Sequence, residues 1–540
     1  MSEHTAHVDT FARDKLPPAE WRAKEIFRLP SLQFPAKLNC AEELLDKKIS
    51  AGLGSKIALQ CEHSNWTYET LDHKARQIAQ VLTEDLGLVP GKRVLLRSAN
   101  NPMLAACWLA VVKAGGIAVA TMPLLRAKDL QPVIDKAEID LALCDIRLQE
   151  ELLEAQNLCP ALEKICLFDG SRNEQAETEL EALMSSKPGN FETVQTAADD
   201  IVLIAFTSGT TGQPKGTMHY HRDVMALCAC VCDELIEPDE NDVFIGSPPM
   251  AFTFGLGMQL LFPLYAGASS ALLEAAPPAK LIAGISQFKA TICATAPTAY
   301  RAMLSELEDH DISSLRKPVS AGEHLPQAIY EQWQKATGVS IIDGLGATEL
   351  LRIFVGARRQ DVPAGATGKA LPGYEACILG EDNAPLAVGE RGRLAVIGPS
   401  SCKYLADDRQ TKYVIDGWNV PGDICHMDAE GHVYYHGRAD DMIISSGYNI
   451  SGPEVEAALL THDAVQECAV VGARDEERGT IVKAFVVLNP SHIAEEDTAG
   501  MLQQHVKDSI APYKYPRAIE FIDALPKTQT GKIQRHRLRD

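Results

Sequence analysis

The sequence predicts an α/β protein in two parts. A large N-terminal domain (1–439) of mainly parallel sheets flanked by helices is followed by a small α+β C-terminal domain (440–540). Three observations predict it. At 540 residues the chain exceeds what one hydrophobic core usually serves. From about Ile57, helix and strand signals alternate, as parallel strands joined by crossover helices require. The last hundred residues then hold their own run of strands and helices, enough for a separate small unit.

Over residues 70–82, Leu71, Ala75, Ile78, Ala79 and Leu82 fall on one helical stripe. Residues 93–97 form a short strand and residues 104–113 a second helix. The apolar runs 117–120 and 141–144 read as buried strands. Residues 171–200 are polar, acidic and poor in apolar side chains, and are expected to run over the surface. Residues 201–206, Ile-Val-Leu-Ile-Ala-Phe, form another buried strand. Near the C-terminus a strand at 433–438 leads through Ala439-Asp440-Asp441 to a strand at 442–444. The helix 452–460, the strands 469–472 and 484–488 and the helix 501–509 complete the series.

Composition is that of an ordinary globular protein, 46% hydrophobic and 23% charged. A net charge of −22 argues against nucleic acid or an anionic membrane as the main partner. Residues 501–540 nevertheless hold eight Lys/Arg against four Asp/Glu. Such a surplus reads either as a solvated basic tail or as an end that meets anions such as nucleotide phosphates. The fourteen cysteines show no paired spacing, so a reducing, cytoplasmic setting is expected. Cys228, Cys230 and Cys232 lie in an apolar run without a second ligand pair and read as core. The N-terminus lacks signal-peptide architecture. The longest apolar stretch, 102–125, is broken by Lys113, Gly115-Gly116 and Pro123, and reads as a buried helix running into a strand.

The strand at 201–206 empties into Thr207-Ser208-Gly209-Thr210-Thr211-Gly212-Gln213-Pro214-Lys215-Gly216. Three glycines, four hydroxyls and a lysine in ten positions suit a polyphosphate, which backbone N–H groups and hydroxyls can cradle. The P-loop pattern fails, because Gly216 follows Lys215 where that motif needs a hydroxyl for magnesium. A flexible surface turn is the plain alternative. Asp343-Gly344-Leu345-Gly346-Ala347-Thr348-Glu349 follows a short apolar run at 339–342. Its small residues leave room for a flat ligand, and an acid at a strand end can hold a hard cation. Taken singly, Pro421-Gly422-Asp423, Arg438 with Asp440, and Ser320-Ala321-Gly322-Glu323 are ordinary turns, ion pairs and strand ends.

In this order, and with Pro526-Lys527-Thr528-Gln529-Thr530-Gly531-Lys532 near the end, the set resembles the adenylate-forming superfamily of acyl-CoA synthetases, luciferases and peptide-synthetase adenylation domains. The resemblance runs from about residue 57 to the end. It implies that Thr207, Ser208, Gly209, Thr210, Thr211 and Lys215 grip the ATP phosphates. Glu323 with Asp343, Gly344 and Leu345 would bracket the adenine. Thr348 would bond the α-phosphate and Glu349 would ligate Mg²⁺. Asp423, helped by Arg438, would hold the ribose, and Lys532 would stabilise charge between carboxylate and α-phosphate. It also implies a mobile C-terminal domain hinged at Asp440, whose segment 445–448, with Gly447 and Tyr448, meets the thiol of coenzyme A. Pro421 stands where the family usually has threonine, so any contact through that hydroxyl is lost. The sequence holds no carrier-protein segment, so free coenzyme A is the expected acceptor.

The acyl pocket is expected to use Phe252, Thr253, Phe254, Gly255, Leu256 and Gly257 with Leu345, Gly346 and Leu351, where two phenylalanines and glycines suggest a flat cavity. The phenylalanines serve equally well as core. Segments 216–223, 296–301, 320–326 and 447–450 look like the benzoate- and 2-aminobenzoate-CoA ligase branch. Arg352 stands where many benzoate-type members carry histidine, and His219 and His221 are expected to be structural. The resulting expectation is an AMP-forming aryl-CoA ligase that uses ATP, Mg²⁺ and coenzyme A. A medium-chain fatty acyl-CoA synthetase and an inactive ATP-binding regulatory protein are the alternatives. No nucleic-acid partner and no membrane span are expected, and a homodimer is compatible with this reading.

Overall fold

The structure is a computed structural model. It describes residues 4–171, 178–207, 214–351, 353–439, 441–445, 448–475, 479–495, 497–527 and 533–539. Its described strands form five sheets.

The first sheet runs, edge to edge, Lys164–Phe168, Leu141–Asp145, Arg93–Arg97, Ile117–Thr121, Ile201–Thr207, Lys215–Tyr220. All neighbours are parallel except the last pair. Strands covered on both faces read as continuous apolar runs, as Ile117–Thr121, Leu141–Asp145 and Ile201–Thr207 nearly do. Arg97 is buried within its strand because its guanidinium donates to the carbonyls of Met122 at 2.9 Å and Pro123 at 2.8 Å. The helix Pro102–Lys113 is buried along its whole length. Asn101 caps it by accepting from the Leu104 N–H, and proline opens it where no N–H is needed. Its last residue, Lys113, is neutralised by Asp46 and by Asp72 at 2.9 Å.

The second sheet has nine strands in the order Lys369–Ala370, Ile353–Arg358, Ile342–Gly346, Lys317–Ala321, Ile292–Thr295, Val243–Gly246, Ser269–Ala271, Ile57–Gln60, Asn65–Thr67. The six from Ile342–Gly346 to Ile57–Gln60 pair in parallel, and the edges pair antiparallel. One continuous apolar core, which includes Val94, Leu109, Val202, Phe244 and Ile342, lies between the two parallel sheets.

A third, antiparallel sheet collects short strands between Glu375 and Arg438. Beyond it, Val465–Asp475 pairs antiparallel with Gly479–Leu488, and Ala518–Phe521 adds in parallel. The helices Gly452–Leu459 and Thr498–Ser509 cover this sheet through Val455, Leu459, Leu502 and Val506. Ile443 and Ile450, from the paired strands Ile443–Ser445 and Tyr448–Ile450, join the same small core.

The α/β class with mainly parallel sheets and a C-terminal sheet domain is found as expected. Differences are local. The segment expected on the surface is partly packed: the helix Glu179–Ser185 buries Leu180 and Met184, and Thr196 and Ala197 are fully buried. Two apolar residues four apart make a stripe that an acidic average composition hides. Of the antiparallel sheet only the strand at 433–438 was anticipated; its partners Glu375–Leu379, Gly392–Ile397 and Asp423–Met427 were not. Asp343 to Gly346 continue their strand rather than follow it. The fourteen cysteines form no disulfide, and all but the half-buried Cys377 are buried, Cys228, Cys230 and Cys232 among them. Among the described residues no helix is long and apolar enough to cross a membrane.

Candidate active site

The strands Ile292–Thr295, Lys317–Ala321 and Ile342–Gly346 run parallel in register, with Ser320 beside Asp343 and Ala321 beside Gly344. Their carboxyl ends therefore lie side by side, the edge at which open parallel sheets receive ligands. A cavity of about 390 Å³ opens there. Glu323, Asp343, Gly344, Leu345 and Gly346 line one side, and Asp423 and Arg438 another. Ile533 and Arg535 of the C-terminal part close it. Thus the sequence-predicted adenine and ribose residues, up to 115 positions apart from Glu323 to Arg438, meet in one space.

Asp423 and Arg438 are direct cross-strand partners, and Arg438 Nη1 donates to Asp423 Oδ1 at 3.2 Å. The carboxylate is buried while the guanidinium stays half exposed. Gly422 takes φ +89°, a left-handed conformation that favours glycine, and a Cβ there would stand 3.1 Å from Arg438 Nη2. Pro421 is buried, and the turn is closed by main chain, Ala439 N–H to Gly422 O at 2.8 Å. The turn around Asp423 thus forms without a threonine hydroxyl.

Asp343 is 3% exposed, and burial pushes its carboxyl up to about 7, with Arg359 opposing. A group whose folded pKa stands above its unfolded value stabilises the fold only while protonated in both states. That stability is full below about pH 4 and is lost as pH rises to about 7. Asp343→Asn is therefore expected to stabilise the ligand-free protein at pH 8, by about 3–4 kcal/mol at most, with the gain shrinking toward pH 4. Thermal melting across that range measures it; a gain independent of pH would contradict the burial argument.

At the phosphate end, Thr207 closes the strand Ile201–Thr207 directly opposite Lys215. Ser208, Gly209, Thr210 and Thr211 lie outside the described residues, as do Arg352, Asp440, Gly447 and Lys532. Tyr448 is described only as backbone of the strand Tyr448–Ile450. Thr348 and Glu349 form a single helical turn, ended by Leu351, whose φ of +68° places a buried branched side chain in the left-handed region. The Glu349 carboxylate accepts from the Tyr404 hydroxyl at 2.6 Å. Among the described residues no cluster of three or more His, Cys, Asp or Glu is placed to hold a metal. One carboxylate does fit a magnesium ion that arrives with a nucleotide, since Mg²⁺ commonly takes one or two carboxylates and completes its shell with phosphate oxygens and water.

The two neighbours of the 528–532 segment are both tied. Lys527 and Ile533 form an isolated antiparallel bridge, and Lys527 pairs with Glu467 at 2.6 Å. The Ile533 N–H donates to Glu323 Oε1 at 3.2 Å, which joins the C-terminal part to the strand ends of the large sheet. Arg301 adds a second link, donating to Val465 O at 2.6 Å.

The expected acyl-pocket residues divide. Leu345 and Gly346 line the cavity; Phe252, Thr253, Phe254, Gly255 and Leu351 do not. Thr253 to Leu256 form one short helix, and Phe254 packs against the main core. Gly255 sits so close to Pro249 that a Cβ would lie 2.0 Å from its carbonyl oxygen, so its smallness serves packing. His219 and His221 are buried, and desolvation pulls both down to about 3. They are neutral rings, and His221 Nδ1 accepts from the Cys40 N–H at 3.1 Å.

Sequence reading gave no role to Tyr404, Glu456 or Arg535. Arg535 lies in the basic C-terminal stretch and pairs with Glu456 on the cavity wall: its Nη2 donates to Oε1 at 2.8 Å and Oε2 at 2.7 Å, and its Nε to Oε1 at 3.3 Å. Its signal was the charge surplus of residues 501–540. Tyr404 carried none: its neighbours in sequence are unremarkable, and only the fold brings it to Glu349.

The sequence profile described as AMP-binding enzyme matches residues 47–404, and that described as AMP-binding enzyme C-terminal domain matches residues 454–532. A benzoate–CoA ligase of Thauera aromatica is 36% identical over 516 residues, spanning 94% of this chain and 97% of its own. Among solved structures, the anthranilate CoA ligase AuaEII in complex with anthranoyl-AMP superposes with a TM-score of 0.89 at 32% identity, covering 94% of this chain and 98% of the other. A benzoate CoA ligase from Burkholderia xenovorans LB400 gives 0.85 at 32% identity, covering 93% and 100%.

Proposed function

The chain belongs to the AMP-binding enzyme family, and from that premise we propose that this AMP-forming acyl-CoA ligase activates an aromatic carboxylate, benzoate or 2-aminobenzoate, and transfers it to coenzyme A. The observation that carries the reading is the single cavity in which Glu323, Asp343 to Gly346, Asp423 and Arg438 converge under the chain that flanks Lys532. The aromatic choice is supported by relatives that act on benzoate and anthranilate and align with more than nine-tenths of the chain.

The chemistry follows from the leaving groups. Hydroxide is too poor a leaving group for a thiol to displace from a carboxylate. One carboxylate oxygen therefore bonds to the α-phosphorus of ATP while the bond to the pyrophosphate oxygen breaks. The thiol sulfur then bonds to the acyl carbon, AMP leaves, and the thiol proton passes to solvent. Burial raises the Asp343 carboxyl to about 7, and its protonated form can donate and accept at once, which suits an adenine edge where an amino donor sits beside a ring-nitrogen acceptor. Asp423 accepts from the ribose hydroxyls, with Arg438 fixing it. Thr207, Lys215 and the loop after Thr207 hold the phosphates, and Thr348 bonds the α-phosphate. Glu349 would hold the magnesium, which would supply charge neutralisation at the phosphates. Lys532 offsets the clash of the two anions as they approach.

A lysine serving between carboxylate and α-phosphate would obstruct the incoming thiol. The unit 440–540 therefore turns about Asp440 between the two steps and brings the Tyr448 segment to the thiol. Leu345 and Gly346 line the cavity, and a ring seated beyond them would be walled by Phe252, Phe254 and Leu351, which lie outside that lining. Two copies of the chain associating as a homodimer would be read by light scattering.

The test is a panel of benzoate, the aminobenzoates and medium-chain fatty acids, with pyrophosphate and CoA-thioester measured together. The expected result is a higher kcat/KM for an aromatic acid. Removing or adding one buried methylene changes the discrimination only about 10- to 200-fold, so a real preference should exceed that range. Preference for an alkyl chain would overturn the aromatic assignment and leave the ligase chemistry standing.

A further inference from the structure

The Tyr404 side chain is 1% exposed, and its hydroxyl lies between two groups of opposite charge. It donates to Glu349 Oε1 at 2.6 Å, and Lys215 Nζ stands 3.5 Å from its oxygen and 5.3 Å from its ring centroid. The main chain holds the residue rigidly. Tyr404 bridges antiparallel to Thr217; Met218 N–H donates to Lys403 O and Leu405 N–H to Gly216 O, both at 2.8 Å. The Tyr404 N–H donates to Gln410 Oε1 at 2.9 Å, and the ring packs edge-on against Tyr413 with centroids 5.8 Å apart. A carboxylate offers about four lone-pair sites, so accepting one phenol leaves capacity for a cation.

We infer that Tyr404 is a positioning residue that fixes the Glu349 carboxylate for a nucleotide-borne divalent cation and sets the Lys215 ammonium beside it. Two elements far apart in sequence, the strand after the glycine–threonine loop and the turn at Thr348, are thereby aligned on one phenol. The inference rests on Glu349 as the magnesium ligand. Outer groups that hydrogen-bond a metal-ligating side chain typically change metal affinity 10- to 100-fold when removed.

The test uses the full chain, Mn²⁺ as probe and α,β-methylene-ATP, with bound Mn²⁺ measured by electron paramagnetic resonance. Tyr404→Phe keeps the ring against Tyr413 and removes only the hydroxyl. It is expected to keep its melting temperature and weaken Mn²⁺ binding about 10- to 100-fold. Glu349→Gln is expected to weaken it at least as much, and the double variant no further than Glu349→Gln alone. If Glu349→Gln weakens binding and Tyr404→Phe does not, the role of Tyr404 is overturned while the metal assignment stands. If Glu349→Gln leaves Mn²⁺ binding unchanged, the metal assignment fails and the inference with it. A double variant that loses the product of both effects would show that Tyr404 acts elsewhere, and would also overturn it.

Discussion

Lys532→Ala is expected to lower the rate of acyl-adenylate formation by about 10²- to 10³-fold, the usual effect of deleting one preorganised donor aimed at developing charge. Transfer of a supplied acyl-AMP to coenzyme A is expected to keep its rate, because the proposed mechanism has the lysine withdrawn by then. Both halves are measurable on the same protein, the first by pyrophosphate release with ATP and acid, the second by thioester formation from synthetic benzoyl-AMP. The position of the flanking chain motivates the expectation. Ile533, next to Lys532, donates to Glu323 at the end of the central strands, and Lys527 on the other side is anchored on Glu467. A variant that makes acyl-AMP at the parent rate, or loses both halves equally, would contradict the assigned role.

Asp423→Ala is expected to raise the KM for ATP by about 10- to 150-fold, the cost of losing hydrogen bonds to a charged acceptor at about 1.5–3 kcal/mol. The buried carboxylate is held by Arg438 at 3.2 Å, so its removal also leaves that guanidinium without its cross-strand acceptor. Packing damage alone would raise KM for any nucleotide, so the discriminating probe is 2′-deoxy-ATP. The parent enzyme should bind it more weakly than ATP, whereas the variant should treat the two nearly alike. If Asp423→Ala still discriminates between them as the parent does, Asp423 does not hold the ribose.

Long, buried elements were legible from the sequence. The stripe of Leu71, Ala75 and Ile78 became the helix Tyr68–Gln80, and the uninterrupted apolar run at 201–206 became the central strand Ile201–Thr207. In both, one local pattern dictates one structure, because burial on a stripe or on both faces leaves no competing arrangement. The cavity was legible only as a set of separate motifs. Glu323, Asp343 and Asp423 each looked ordinary alone, and their order along the chain, rather than any local property, pointed to a shared ligand. What remained hidden depends on long-range contact: the Tyr404–Glu349 bond, the Arg535–Glu456 pair and the pairing of the strand that carries Asp423 with the strand at 433–438. The buried Leu180–Met184 stripe was missed for the opposite reason, since an acidic neighbourhood outweighed two well-placed apolar side chains.

In this mechanism one carboxylate oxygen ends up on phosphorus. Benzoate labelled with ¹⁸O in both carboxyl oxygens, incubated with ATP, magnesium and coenzyme A, should return AMP carrying one ¹⁸O atom and a thioester carrying the other. Unlabelled AMP, or ADP with free phosphate in place of AMP and pyrophosphate, would contradict it.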